Sequence, residues 1–197
     1  ILIKGGQYLE ALGGLDALLI DKTGTLTTGK LAVTDIVPID NNTERDVLLL
    51  AGLAERRSEH PIARAVLNKA AELKLIIPEP EACEIFKGSG IKATCRDKSV
   101  IVGNSRLIIE EKINITPAVN EIISRLENQG KTTLIVVREN PAPAPILAEC
   151  PAPVFSPSPK AFGEGGRGWV VGIIGVTDTI KPQAAEAIQK IKQSGIK

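Results

Sequence analysis

Aromatic side chains are scarce, with three Phe, one Tyr and one Trp making 3% of the 197 residues. Platforms that stack single-stranded nucleic acid need several exposed rings, so that class of partner is not expected. Charge gives it no support either: 24 Lys and Arg against 23 Asp and Glu leave a formal net charge of +1. Neither nucleic acid nor an anionic membrane surface is implied by such a balance. The three cysteines, Cys83, Cys95 and Cys150, are odd in number and lack CxxC spacing. A disulfide framework and a zinc site are both disfavoured, and a reduced cytosolic setting fits. The longest apolar run, WVVGIIGV at 169–176, is too short to span a bilayer. No secretory leader opens the chain. The abrupt start at ILIKGG and stop at QSGIK read as a piece of something longer.

What is present is ordinary globular material, long enough to bury a core as one large or two small domains. The apolar run ALLI at 17–20 reads as a buried strand, and LAVTDIV at 31–37 as a second. A helix follows from Asn42 or Thr43 as cap, and another is entered through Pro61 at its first turn. ACEIF, IKATC and SVIVG read as strands, the last two forming a hairpin around RDK. A helix runs from Thr116 and Pro117 to a stop at Gly130. TTLIVV is a strand, WVVGIIGVTD holds one or two more, and a helix enters through Pro182. Residues 139–168 hold more than half of the chain's 13 prolines and read as a loop insertion. The two ends are expected to pair in one parallel α/β sheet, with the middle inserted as its own layer.

The stretch DKTGTLT at 21–27 carries the chemistry. A carboxylate at the tip of an α/β strand sits where such folds bind ligands. Gly24 allows a tight turn whose amide N–H groups can face an anion. Lys22 and the threonine hydroxyls add donors for phosphate oxygens. Asp21 in that nest can attack phosphorus and become an aspartyl phosphate.

These seven residues are similar, letter for letter, to the phosphorylation signature of P-type ATPases. The resemblance implies that Asp21 accepts the γ-phosphoryl group of ATP, that the Thr23 carbonyl helps hold Mg²⁺, and that Thr25 contacts the phosphoryl group. Lys22 would sit in the same catalytic loop. Related phosphatases of the haloacid dehalogenase superfamily carry a second Asp at the position of Thr23. A hydroxyl cannot titrate near neutral pH, so the acyl phosphate should live longer here.

SEHPIA at 58–63 resembles the nucleotide-binding signature of the heavy-metal (P1B) branch. There the imidazole packs against adenine, which His60 would do here with support from Glu59. A lone His before a helix is otherwise a cap or surface residue. GSGI at 88–91 and VGN at 102–104 match two further landmarks of that branch in order. Gly88 and Gly90 would let backbone approach the nucleotide, Ile91 would pack beside it, and Asn104 would offer amide hydrogen bonds. TDTIKP at 177–182 resembles the returning hinge of the phosphorylation domain. Asp178 would face the phosphorylation site there, with Lys181 as its ionic partner. Cys150-Pro151 is similar to the CPx metal motif, but lies in a proline-rich loop and is set aside.

The implied fold is an incomplete haloacid-dehalogenase-like parallel α/β phosphorylation domain, residues 1–30 and 175–197. An α+β nucleotide-binding domain with an antiparallel sheet flanked by helices is inserted at 31–174. The implied function is the cytoplasmic ATP-binding and phosphorylation-site fragment of a membrane-embedded metal pump. Copper(I) export is favoured because a Glu precedes His-Pro, with a zinc/cadmium pump or a soluble phosphohydrolase as alternatives. ATP or ADP, Mg²⁺ and the pump's transmembrane, actuator and metal-binding domains are the implied partners, and the fragment itself would be monomeric. The family's TGD and GDGxND segments would lie downstream of 182–193. Phosphoryl transfer needs charge neutralisation that those segments supply. The chain is therefore predicted to bind nucleotide but autophosphorylate poorly or not at all. Incubation with γ-labelled ATP and Mg²⁺ checks this, and stoichiometric hydroxylamine-labile label would overturn it.

Overall fold

The computed structural model describes residues 5–95, 98–139 and 167–196. It contains helix α1 (Gly6–Leu12), a π-helical turn (Lys22–Leu26), strand β1 (Thr27–Pro38), and helices α2 (Glu44–Glu55) and α3 (Pro61–Glu72). Strands β2 (Ala82–Phe86), β3 (Gly90–Cys95) and β4 (Lys98–Gly103) precede helices α4 (Ser105–Glu110) and α5 (Pro117–Asn128). Strands β5 (Thr132–Glu139) and β6 (Gly168–Ile180) and helix α6 (Pro182–Gln193) complete the order. The chain divides into two compact units, Ile1–Lys30 with Asp178–Lys197, and Leu31–Thr177.

The larger unit is built on a sheet in the order β1-β6-β5-β4-β3-β2. From β2 to β6 each neighbouring pair is antiparallel. Strand β5 pairs with β6 as far as Glu139 opposite Gly168, so the two strands form a ladder right up to the proline-rich stretch. Residues 140–166 of that stretch, Cys150 included, lie outside the described residues, as do 96–97 of the expected RDK turn.

Alternation along the strands explains their continuous apolar runs. Val100, Val102, Leu134 and Val136 face α2 and α3, while Ile101, Ile135 and Val137 face α4 and α5. A sheet covered on both faces needs apolar residues at every position, so the period-2 pattern disappears from the sequence. Local caps place the covering helices. Thr43 and Asp46 form a reciprocal capping box on α2. The Thr116 hydroxyl accepts from the Val119 N–H at the start of α5.

One expectation needs correction. Residues 17–20 form no strand, and Leu19 is 100% exposed. An extended run becomes a strand only when neighbours take its N–H and C=O groups, and the described sheet does not include it. The two ends of the chain meet within the smaller unit, where Lys181 N–H donates to the Leu26 carbonyl at 2.9 Å, beside the Thr28–Thr179 hydroxyl pair. Helix α4 was not expected at all. It has six residues, and its only strong sequence signal is the cap at Asn104.

Register slips at one point, where Val136 faces Gly172 and Val137 faces Val170. The extra residue bulges β6. Gly172 lies there under α2, and a Cβ on it would stand 2.5 Å from Val47 Cγ2 and 2.9 Å from the Val37 carbonyl. Gly172→Ala is expected to cost roughly 1–3 kcal/mol through overpacking. Urea unfolding of the two proteins measures it, and an unchanged midpoint would show that α2 can move away freely.

Candidate active site

The aspartate loop belongs to the smaller unit. Asp21 is exposed and immediately precedes the π-helical turn, where Gly24 adopts φ 79°. Such a left-handed backbone favours glycine. Thr25 is exposed on the same turn, which also carries Lys22 and Thr23. The returning segment grips this loop from below. Lys181 Nζ donates to the Gly24 carbonyl at 2.7 Å. Gly24 N–H donates to Thr27 Oγ1, whose hydroxyl donates to an Asp178 carboxylate oxygen at 2.5 Å. The expected ion pair of Asp178 with Lys181 is replaced by these bonds. Asp178 serves threonine hydroxyls, and Lys181 serves a main-chain carbonyl.

In the sequence Thr27 is one threonine hydroxyl among several. Its 2% exposure makes it the buried link between the glycine turn and Asp178. The repeat of threonines in DKTGTLT hides this, because only the fold distinguishes the buried one.

A cavity of about 220 Å³ opens in the larger unit. His60, Gly88, Gly90, Ile91 and Asn104 all line it, although the first and last are far apart in sequence. His60 caps α3: Nδ1 accepts from the Ile62 N–H at 3.2 Å. The cap uses Nδ1 and leaves Nε2 and the ring faces clear of it. Pro61 follows at the first helical position, where a missing N–H costs nothing.

Asn104 is occupied at both ends of its amide. Oδ1 accepts from the Leu107 N–H at 3.1 Å, capping α4, and Nδ2 donates to the Gly88 carbonyl at 3.2 Å. The two glycines differ. Gly88 has φ 74° and open space around its missing side chain. At Gly90 a Cβ would stand 2.3 Å from the Val102 carbonyl, so its bareness makes room for β4.

Glu59 is exposed and does not line the cavity. Glu55 does, from the last turn of α2, and it is 7% exposed. Sequence reading missed it because only the register of α2 turns that carboxyl inward. Burial pushes the Glu55 carboxyl above its ordinary range, partly offset by the Ser58 hydrogen bond and by His60.

A family model for haloacid dehalogenase-like hydrolases matches residues 15–197. The chain belongs to that family. Among curated relatives, a probable copper-exporting P-type ATPase of Archaeoglobus fulgidus is 39% identical over the whole chain, which covers 20% of that protein. A manganese-exporting P-type ATPase of Mycobacterium leprae is 32% identical over the whole chain, covering 23% of it. The chain thus spans about a fifth of these relatives. A solved zinc-transporting PIB-type ATPase in an E2.Pi state superposes with a TM-score of 0.74 at 33% identity, over 100% of this chain and 27% of that one. These relatives are named as metal-exporting or metal-transporting P-type ATPases, and their named metals differ.

The raised Glu55 value fixes a sign. The folded state holds this proton more tightly than the unfolded chain, so its stabilising effect is complete below the unfolded value. It is lost as pH rises through the folded one. Glu55→Gln is expected to flatten that decline. Urea unfolding at stepped pH tests it, and parallel pH slopes for the two proteins would refute it.

Proposed function

We propose that this chain is the nucleotide-binding module, with flanking parts of the phosphorylation module, of a heavy-metal-exporting P-type ATPase. Residues 31–174 would bind ATP, and 1–30 with 175–197 would present Asp21. The observation that carries the reading is the cavity shared by His60, Gly88, Gly90, Ile91 and Asn104. Similarity to metal pumps along the whole chain supports it.

The cavity is smaller than the roughly 300–1,000 Å³ that encloses a whole drug-sized ligand. It suits one end of a nucleotide. A base would stack on the His60 ring, whose orientation the cap bond holds. Glu55 would accept from an exocyclic amine at the base edge. Asn104 would act chiefly by holding the Gly88 carbonyl, with one amide hydrogen left to donate. Glu59 would act from outside the cavity, through the turn that carries His60.

At the other module an Asp21 oxygen would attack the γ-phosphorus of ATP. A new P–O bond forms while the bond to the bridging oxygen breaks, and ADP leaves with that electron pair. Lys22 and Thr25 would donate to the phosphoryl oxygens. Lys181 and Asp178 would hold the loop in shape through Gly24 and Thr27. Mg²⁺ would neutralise phosphate charge, held by the Asp21 carboxylate and the Thr23 carbonyl. That donor set fits a cation that binds through one or two carboxylates, substrate phosphates and water. Copper(I) is the proposed cargo, supported by the Glu59-His60-Pro61 sequence and by the copper-exporting relative. The parent would be a membrane protein with this part in the cytoplasm. Among the described residues no helix is long and apolar enough to cross a membrane.

Titration with ATP tests the proposal. The chain is expected to bind ATP saturably, and His60→Asn to weaken it roughly tenfold or more, the scale of a lost base-stacking contact. Asparagine is a good helix cap, so this variant keeps α3 intact. Unchanged affinity would remove the stacking role, and no binding by the parent chain would remove the reading itself.

A further inference from the structure

Strand β2 is the edge of the sheet, and an exposed isoleucine sits on it. Ile85 is 66% exposed. Singly exposed apolar residues are common and need no explanation. Ile76 and Ile109 are exposed too and lie away from the cavity. Ile85 differs because it is exposed into the cavity, alongside Ile62, Ile91, Val102 and Leu134.

Register explains how it gets there. Ile85 pairs with Ile91 across the β2–β3 ladder, so both side chains rise from the same face of the sheet. Ile91 is 3% exposed and belongs to the core beneath α2 and α3. Ile85, one strand further out, is left largely open to solvent. The sheet edge thus supplies an apolar wall to the cavity, and the start of α3 supplies His60 as another. An edge-strand isoleucine that remains uncovered is a liability for edge-to-edge pairing.

We propose that Ile85 is the second face of a base clamp. A purine base enters with one face on the His60 ring and the other on the Ile85 side chain. The inference rests on the nucleotide reading and deepens it by naming a specificity-determining contact. An aliphatic face packs on any flat heteroaromatic ring but offers nothing to phosphate. Ile85 therefore adds affinity for the base moiety alone.

The test uses the 197-residue chain with ATP, adenosine and tripolyphosphate as probes. Ile85→Thr keeps β-branching while removing apolar surface, and Ile85→Val removes one methylene. The threonine variant is expected to weaken ATP and adenosine alike, roughly tenfold, and the valine variant up to roughly fourfold. Tripolyphosphate binding and the ligand-free melting temperature should stay as in the parent. If the parent binds ATP and both variants match it, the clamp is wrong while the nucleotide reading stands. Equal weakening of tripolyphosphate would show that Ile85 acts on the glycine loop, and overturns the clamp as well. Failure of the parent chain to bind ATP removes both.

Discussion

Asn104 joins three parts of the molecule through one amide. Its oxygen takes the Leu107 N–H at the start of α4, and its nitrogen gives a hydrogen to the Gly88 carbonyl. The backbone adds a further tie, since Asn104 N–H donates to the Ser89 carbonyl at 2.9 Å. A glycine-containing turn would otherwise be free to rearrange. Here it is tied to a helix whose Leu107 and Ile108 are buried in the core. Rigidity in the cavity is therefore inherited from packing on the far side of the sheet. His60 does similar work on the near side, because its ring is oriented by capping α3. In both cases a helix cap and a candidate ligand contact are the same side chain, so structural and functional readings of these residues are not rivals.

The aspartate loop follows a different principle. Its turn is exposed and contributes nothing to the two apolar clusters. What shapes it is polar: the Lys181 bond to the Gly24 carbonyl and the buried Thr27 linking Gly24 to Asp178. Hydrogen bonds that involve a charged partner are shorter and stronger than neutral ones, which suits a loop with no packed side. Asp21, whose carboxylate would react, is exposed at the start of this loop.

Much of the larger unit was legible because its elements carry local punctuation. Thr43, Pro61 and Thr116 mark helix starts that it contains, as Pro182 does in the smaller unit. The hairpin of β3 and β4 and the partnership of β5 and β6 also follow from short apolar runs bounded by turn residues. The apolar run at 17–20 misled, because an extended segment has no identity until something pairs with it. Helix α4 escaped because six residues are too few to show a helical period. In the site, motif residues in three separate stretches pointed to one cavity. Glu55 and Ile85 stayed hidden because no motif marks them, and Thr27 because its motif holds several threonines; each matters only through what lies beside it.

The sequence alone determined the chemistry at hand: a carboxylate among phosphate-binding groups, a single imidazole before a proline, and glycines where backbone must turn. Residue type and short spacing carry that information, because they set charge, donors and local φ. Tertiary structure decided which of those groups meet. Helical register turned Glu55 inward and left Glu59 outside, and strand register raised Ile85 beside Ile91. Those choices depend on contacts between residues far apart in the chain, and no local pattern encodes them.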